Sequence, residues 1–179
     1  MRLIRLAPLA ALALLVAAVP PRPAADEVTH AKELLKGFVG TWDVDGSFMG
    51  MPSKGVETNT LLSHGLCVVS EYHAPMGPGQ EFEGHGLMGY DPKEGKWISI
   101  WVDNTDPSIS VSEGHWSADG KTFTIEETID MGTGETAMLL TTTLQADGSR
   151  VFTMRAKDPA ADAAPVVKST YKKRAEGAK

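Results

Sequence analysis

Cysteine is almost missing from this 179-residue chain: Cys67 stands alone, so no intramolecular disulfide can form and the fold must be held by its core. Basic residues are scarce as well. Lys and Arg number 17 against 23 Asp and Glu, and a surface of that sign repels phosphate backbones and anionic lipid, which argues against nucleic-acid binding. No apolar run is long enough to span a bilayer: the charge-free stretch from Leu6 to Val19 falls short of the roughly 20 residues a spanning helix needs. The sequence also has no nucleophile elbow, phosphate-binding loop or dinucleotide fingerprint. Its five histidines show neither the His-x-His nor the His-x-x-x-His spacing that would support a metal site.

What the N-terminus does hold is a targeting pattern. Arg2 and Arg5 precede the Leu6 to Val19 run, and small residues around Ala18 or Ala24 and Ala25 offer cleavage, so residues 1–25 are expected to be a signal peptide. The remaining chain, residues 26–179, is expected to be one exported domain, periplasmic or secreted, without a membrane span. Losing residues 1–25 removes Arg2, Arg5 and Arg22 and no acid, which leaves 14 basic against 23 acidic residues, a net charge of −9. Cys67 lies in the apolar run Leu66 to Val69, where a thiol behaves as a small buried hydrophobe.

Periodicity sets the architecture. Val28, Ala31, Leu34, Leu35 and Phe38 recur at three- and four-residue steps, which predicts one short amphipathic helix between Asp26 and Gly37. From Val39 the period becomes two, and turn residues recur along the rest of the chain. The pattern predicts about ten strands, over 39–48, 54–63, 66–73, 81–90, 96–103, 109–117, 122–130, 137–146, 149–157 and 165–173. Short Asp-Gly and Pro-Gly type connections, such as Ala118-Asp119-Gly120-Lys121 and Ala146-Asp147-Gly148-Ser149, pair neighbours in chain order. The expected fold is therefore all-β: an antiparallel up-and-down barrel of about ten strands preceded by one α-helix, since closure removes the exposed edges that a long meander would leave. The stretches Ala74 to Gln80 and Asp158 to Ala164 are expected to be its longest linkers.

Candidate chemistry sits on four of these strands. Over 96–103, Ile98, Ile100 and Val102 share one face while Trp97, Ser99, Trp101 and Asp103 share the other. Aliphatic residues inside would fill the barrel, whereas Trp101 and Asp103 inside would give a pocket an aromatic wall and a fixed acceptor; periodicity leaves the two open. Over 81–90 the same choice arises between Glu83, His85 and Leu87 and a face with Gly84, Gly86, Met88 and Tyr90. The glycines imply curvature or close approach of another group. Glu71 and His73 share a face, as do Glu113 and His115. His85 with Glu71 or Asp103 is a candidate acid–base pair if the strands bring them into reach.

Several segments also resemble known families. Gly40-Thr41-Trp42, opening the first strand after a helix, resembles the Gly-x-Trp start of the calycin barrels. There the Trp packs against a basic side chain from the last strand, which here implies closure by Trp42 with Arg174, next to Lys172 and Lys173. Val69-Ser70-Glu71-Tyr72, the run from Phe82 to Asp91, Trp101-Val102-Asp103 and Arg150-Val151-Phe152-Thr153-Met154 resemble the bacterial domain-of-unknown-function family 1579 over nearly the whole mature chain. That resemblance implies a calycin-like barrel, frequently exported, with no established activity. Nitrobindin-like relatives hold haem through a late His, but no His follows His115 here. Retinoid and fatty-acid barrels often hold a carboxylate with inward Arg and Tyr, which Arg155 and Tyr171 could supply here; for Arg155 an outward-facing surface charge is an equal alternative.

The expected function is that of a carrier or sensor for a small, partly apolar molecule, with Trp101, Asp103, His85, Glu71 and Tyr90 near it and no cofactor or metal assigned. Two alternatives stand beside it: a small hydrolase or isomerase using His85 and Glu71, and a packed barrel that associates with a partner protein.

Overall fold

The computed structural model describes residues 25–130, 132, 134–158 and 163–175. The expected signal peptide, apart from Ala25, and the middle of the late loop 158–164 lie outside the described residues.

Helix α1 spans Ala25–Lys36, with Asp26 and Glu27 in its first turn and Lys36 in its last, charges that complement the helix dipole at both ends. Its apolar stripe turns Ala31 and Leu35 into the protein, and the chain leaves through a tight turn in which Gly37 and Phe38 donate to the carbonyls of Leu34 and Leu35. Ten strands follow: β1 (Gly40–Phe48), β2 (Met51–Leu61), β3 (Cys67–Gly77), β4 (Gln80–Asp91), β5 (Lys96–Asp103), β6 (Ser110–Trp116), β7 (Thr122–Asp130), β8 (Glu135–Leu144), β9 (Arg150–Ala156) and β10 (Val167–Lys173). Each pairs antiparallel with its neighbours in sequence, and β10 pairs with β1, so the sheet closes into a barrel. The predicted fold class, helix and strand number all hold.

The largest departure is β3, expected to end at residue 73. It continues to Gly77, through Pro75, with the register to β4 shifting between Pro75 and Gly77. Proline cannot donate to the ladder, and the irregularity lets the strand pass it. The expected linker from Ala74 to Gln80 thus shrinks to a tight turn. At the same end of the barrel, Met49 and Gly50 join β1 to β2 with φ of 49° and 80°, the two left-handed residues that a type I′ hairpin requires.

The core lies at the helix end. Leu35, Phe38 and Val68 are fully or nearly buried and pack with Leu61, Met88, Trp97, Trp116 and Leu144. Trp97, Trp116, Phe123 and Phe38 meet edge to face or tilted, with centroids 5.3–6.1 Å apart, a geometry favoured by the ring quadrupoles. Tyr90 joins them, 5.4 Å from Trp97, and donates its hydroxyl to Glu27 on α1. The helix therefore plugs one mouth of the barrel. One seam is weaker than the rest: β6 and β7 pair only over Gly114–Trp116 and Phe123–Ile125, so their other halves, toward the open mouth, diverge.

Candidate functional site

Register settles which face is inside. Buried Val68 pairs with Met88, and the row Asn59, Ser70, Gly86, Trp101, Ser110 runs across five strands on one face. Trp97, Ser99, Trp101 and Asp103 point into the barrel and Ile98, Ile100 and Val102 point out. On β4 the inner set is Phe82, Gly84, Gly86, Met88 and Tyr90. Glycines 84 and 86 form a bed for the Trp101 indole. A Cβ on Gly84 would stand 2.3 Å from Cζ2 of that ring, and one on Gly86 would stand 3.2 Å from Cε3. The ring is pressed against the wall and is held there by its Nε1, which donates to Asp103 Oδ2 at 3.0 Å.

Asp103 is itself fixed. Oδ1 accepts from the Thr105 amide and hydroxyl and from the Asp106 amide. Burial alone would raise this carboxyl, but the bonds from Thr105, Trp101 and Asp106 outweigh it and hold it below the usual carboxylate range. Around Trp101 the inner wall is lined by Ser70, Ser99, Ser110 and Ser112, and across the diverging seam Ser110 donates its hydroxyl to Glu127. Trp101, Tyr72, Phe82, Leu140, Phe152 and Met154 all face inward yet are only half-buried. A barrel filled by its own side chains would bury them, so the interior is hollow beyond the helix end.

The floor of that hollow is a buried ion pair. Arg150 on β9, 3 % exposed, donates through Nη2 to Glu57 on β2. Asn59 donates to the same Glu57 oxygen at 2.7 Å and to the Phe38 carbonyl at 3.0 Å, and Trp42 Nε1 donates to that carbonyl at 2.8 Å. The Arg150 guanidinium lies 4.4 Å from the Trp42 ring, 4.5 Å from Tyr171 and 4.9 Å from Phe38. Burial, with the Glu57 charge adding to it against Arg150, raises the Tyr171 phenol far above its usual value. Arg150 Nη1 and Asn59 Oδ1 are buried with no hydrogen-bond partner.

Several expected site residues lie elsewhere. His85 and Glu71 are cross-strand partners, but on the outer face, because the glycines beneath Trp101 claim the inner parity of β4. His85 Nε2 lies 2.9 Å from Glu83 Oε1, with both side chains about half exposed, away from Trp101 and Asp103. His73 and His115 also face outward. Tyr90 faces inward but belongs to the helix plug. Arg174 is not the cation over Trp42: its Nε and Nη2 bind Asp43 on the outer surface at 2.8 and 2.6 Å, and the last strand's cation near the ring is Lys173, its Nζ 5.6 Å from the centroid, with Arg150 closer at 4.4 Å. Arg155, one residue out of phase with Phe152 and Met154, points outward, so the inward Arg beside Tyr171 is again Arg150. Among the described residues no group of three or more His, Cys, Asp or Glu is placed to hold a metal ion.

Glu57, Asn59, Glu127 and Arg150 were not singled out from sequence. Their signal was a polar side chain in phase with an apolar face: Arg150 with Phe152 and Met154, and Glu127 with Ile125 and Ile129.

The family model for proteins of unknown function DUF1579 matches residues 27–173, from the helix through the closing strand. The chain belongs to this family. A search of curated proteins finds none that matches it. The DUF1579 match thus covers both the plug and the whole barrel wall, and its description assigns no activity to them.

Proposed function

We propose that this DUF1579 protein is an exported carrier or sensor that binds a small, partly apolar molecule inside the barrel. The observation that carries the reading is the state of Trp101: an indole seated on two glycines, tied by Asp103, half-buried, with serines around it. Ligand pockets combine such an aromatic wall with a few placed polar groups. Of the four tryptophans, Trp97 and Trp116 pack on other rings and Trp42 lies under Arg150, so Trp101 is the one whose ring has no aromatic or cationic partner among the described residues. The enzyme reading loses its support, since His85 and Glu71 face outward and share no cavity with Asp103.

Native mass spectrometry of the protein purified from its own exported fraction tests this directly. The expected result is a mature chain lacking about 25 N-terminal residues and carrying a non-covalent organic mass that Trp101→Leu reduces or removes. A bare chain in the native protein, with Trp101 fluorescence unmoved by any of a panel of aromatic and aliphatic probes, would sink the binding reading. A chain found uncleaved in the cytoplasm would sink export alone.

A further inference from the structure

The charge of the hollow names the class of ligand, on the reading that the interior binds one. We propose that the ligand is a cation: a planar ring bearing an amine or comparable positive group, stacked on Trp101 with its charge held by the carboxylates of Glu127 and Asp103. Inward-facing charges among the described residues are few. Arg150 and Glu57 neutralise one another at the floor, and Lys173, at the helix end of its strand, is exposed. That leaves two inward carboxylates in the hollow with no inward cation to balance them. Both are tied to Trp101. Asp103 accepts from its indole nitrogen, and Glu127 accepts from Ser110, the residue paired with Trp101 across β5 and β6. An indole face beside a carboxylate attracts a cation twice, through the ring quadrupole and through the charge.

A separate observation points to a donor-rich ligand. Asn59, 3 % exposed and in the same inner row as Trp101, spends both of its donated hydrogen bonds on the floor and leaves Oδ1 without a donor. A buried acceptor of this kind is satisfied by an N–H or O–H and not by a carboxylate. A fatty-acid-like anion is disfavoured at the floor: the guanidinium buried there, that of Arg150, already carries the Glu57 carboxylate and is enclosed by Phe38, Trp42 and Tyr171, and its unpartnered Nη1 needs only a neutral hydroxyl or carbonyl oxygen.

Three planar probes of one shape separate the terms: 2-naphthylmethylammonium, the neutral 2-naphthylmethanol and the anionic 2-naphthoate, each titrated calorimetrically into the mature protein. The cation should bind about tenfold or more tightly than the anion, with the alcohol between. Glu127→Gln should lower the cation's affinity several-fold and leave the alcohol's unchanged, while Trp101→Leu should weaken both. Naphthoate binding as tightly as the ammonium, or a cation preference that survives Glu127→Gln, overturns the proposal. Equal binding of all three overturns it and leaves interior binding standing. Absence of heat from all three overturns it too, and counts against interior binding only if the native mass is also that of the bare chain.

Discussion

At the scale of single residues, the hollow exists because certain side chains are missing. Gly84 is the clearest case. Its backbone is ordinary strand, so alanine there is strained only by what it meets, the Trp101 ring at 2.3 Å. Gly84→Ala is expected to push the indole into the lumen and destabilise the protein by about 1–3 kcal/mol, the usual cost of overpacking. Urea denaturation and near-ultraviolet circular dichroism read the two effects, and an unchanged tryptophan signal would show that the ring does not rest there. The floor is the opposite case, a charge pair that neither partner can abandon. Arg150→Met leaves Glu57 buried without its cation, held only by the Asn59 amide, and should cost about 3–5 kcal/mol, most of it recovered in the double variant Glu57→Leu with Arg150→Met. A single-variant loss under about 1 kcal/mol would mean that water reaches the floor. Sequence showed that Trp101 and Asp103 share a face but not which way that face pointed, because alternation is symmetric between inside and outside. What breaks the symmetry is a cross-strand neighbour, here the glycines of β4, and pairing register is not a local property. The same symmetry left His85 and Glu71 as candidates for the inner face, whereas Arg174 was expected over Trp42 from the calycin resemblance, a place that Arg150 and Lys173 hold instead.

At the scale of elements, turn chemistry made the barrel legible. Asp-Gly and Pro-Gly type connections fixed the order of pairing, and ten strands in chain order leave only one way to remove the edges. The helix was legible from its apolar stripe, though its role as a plug depends on Tyr90 reaching Glu27, a contact between elements far apart in sequence. Pro75 hid the length of β3, since proline reads as a break until a register shift is seen to absorb it. The seam between β6 and β7 was invisible for a related reason: both segments read as good strands, and only their register shows that three residues of each are paired. Backbone groups left unpaired there exchange with solvent through smaller openings than those of a complete ladder. Hydrogen exchange should therefore find the seam-side amides of residues 110–113 and 126–130 faster than those of Gly114–Trp116. Uniform protection along β6 would show the seam to be closed in solution.

At the scale of the whole molecule, one plugged end, one open end and a polar floor divide the interior, and the three tyrosines sample the division. Tyr90 sits in the plug, where burial and the bond and charge of Glu27 raise its phenol. Tyr171 lies at the floor, raised by burial and by Glu57. Tyr72 lies on the wall, raised mainly by burial and by Glu57 against a bond from Ser53. All three shifts have one sign. A phenol whose native value lies above its unfolded value of about 10 binds more protons folded than unfolded over that interval, so stability falls as pH rises through it. The stabilisation is complete below about pH 10 and is lost above. Spectrophotometric titration should therefore show almost no phenolate at the pH where free tyrosine is half ionised, then a cooperative rise of all three together as the barrel unfolds. Tyr72, whose wall position leaves it half-buried, is the residue to watch. If its ionisation alone comes early and without unfolding, solvent fills the hollow up to β3, and a ligand entering from the open mouth must displace that water to reach Trp101.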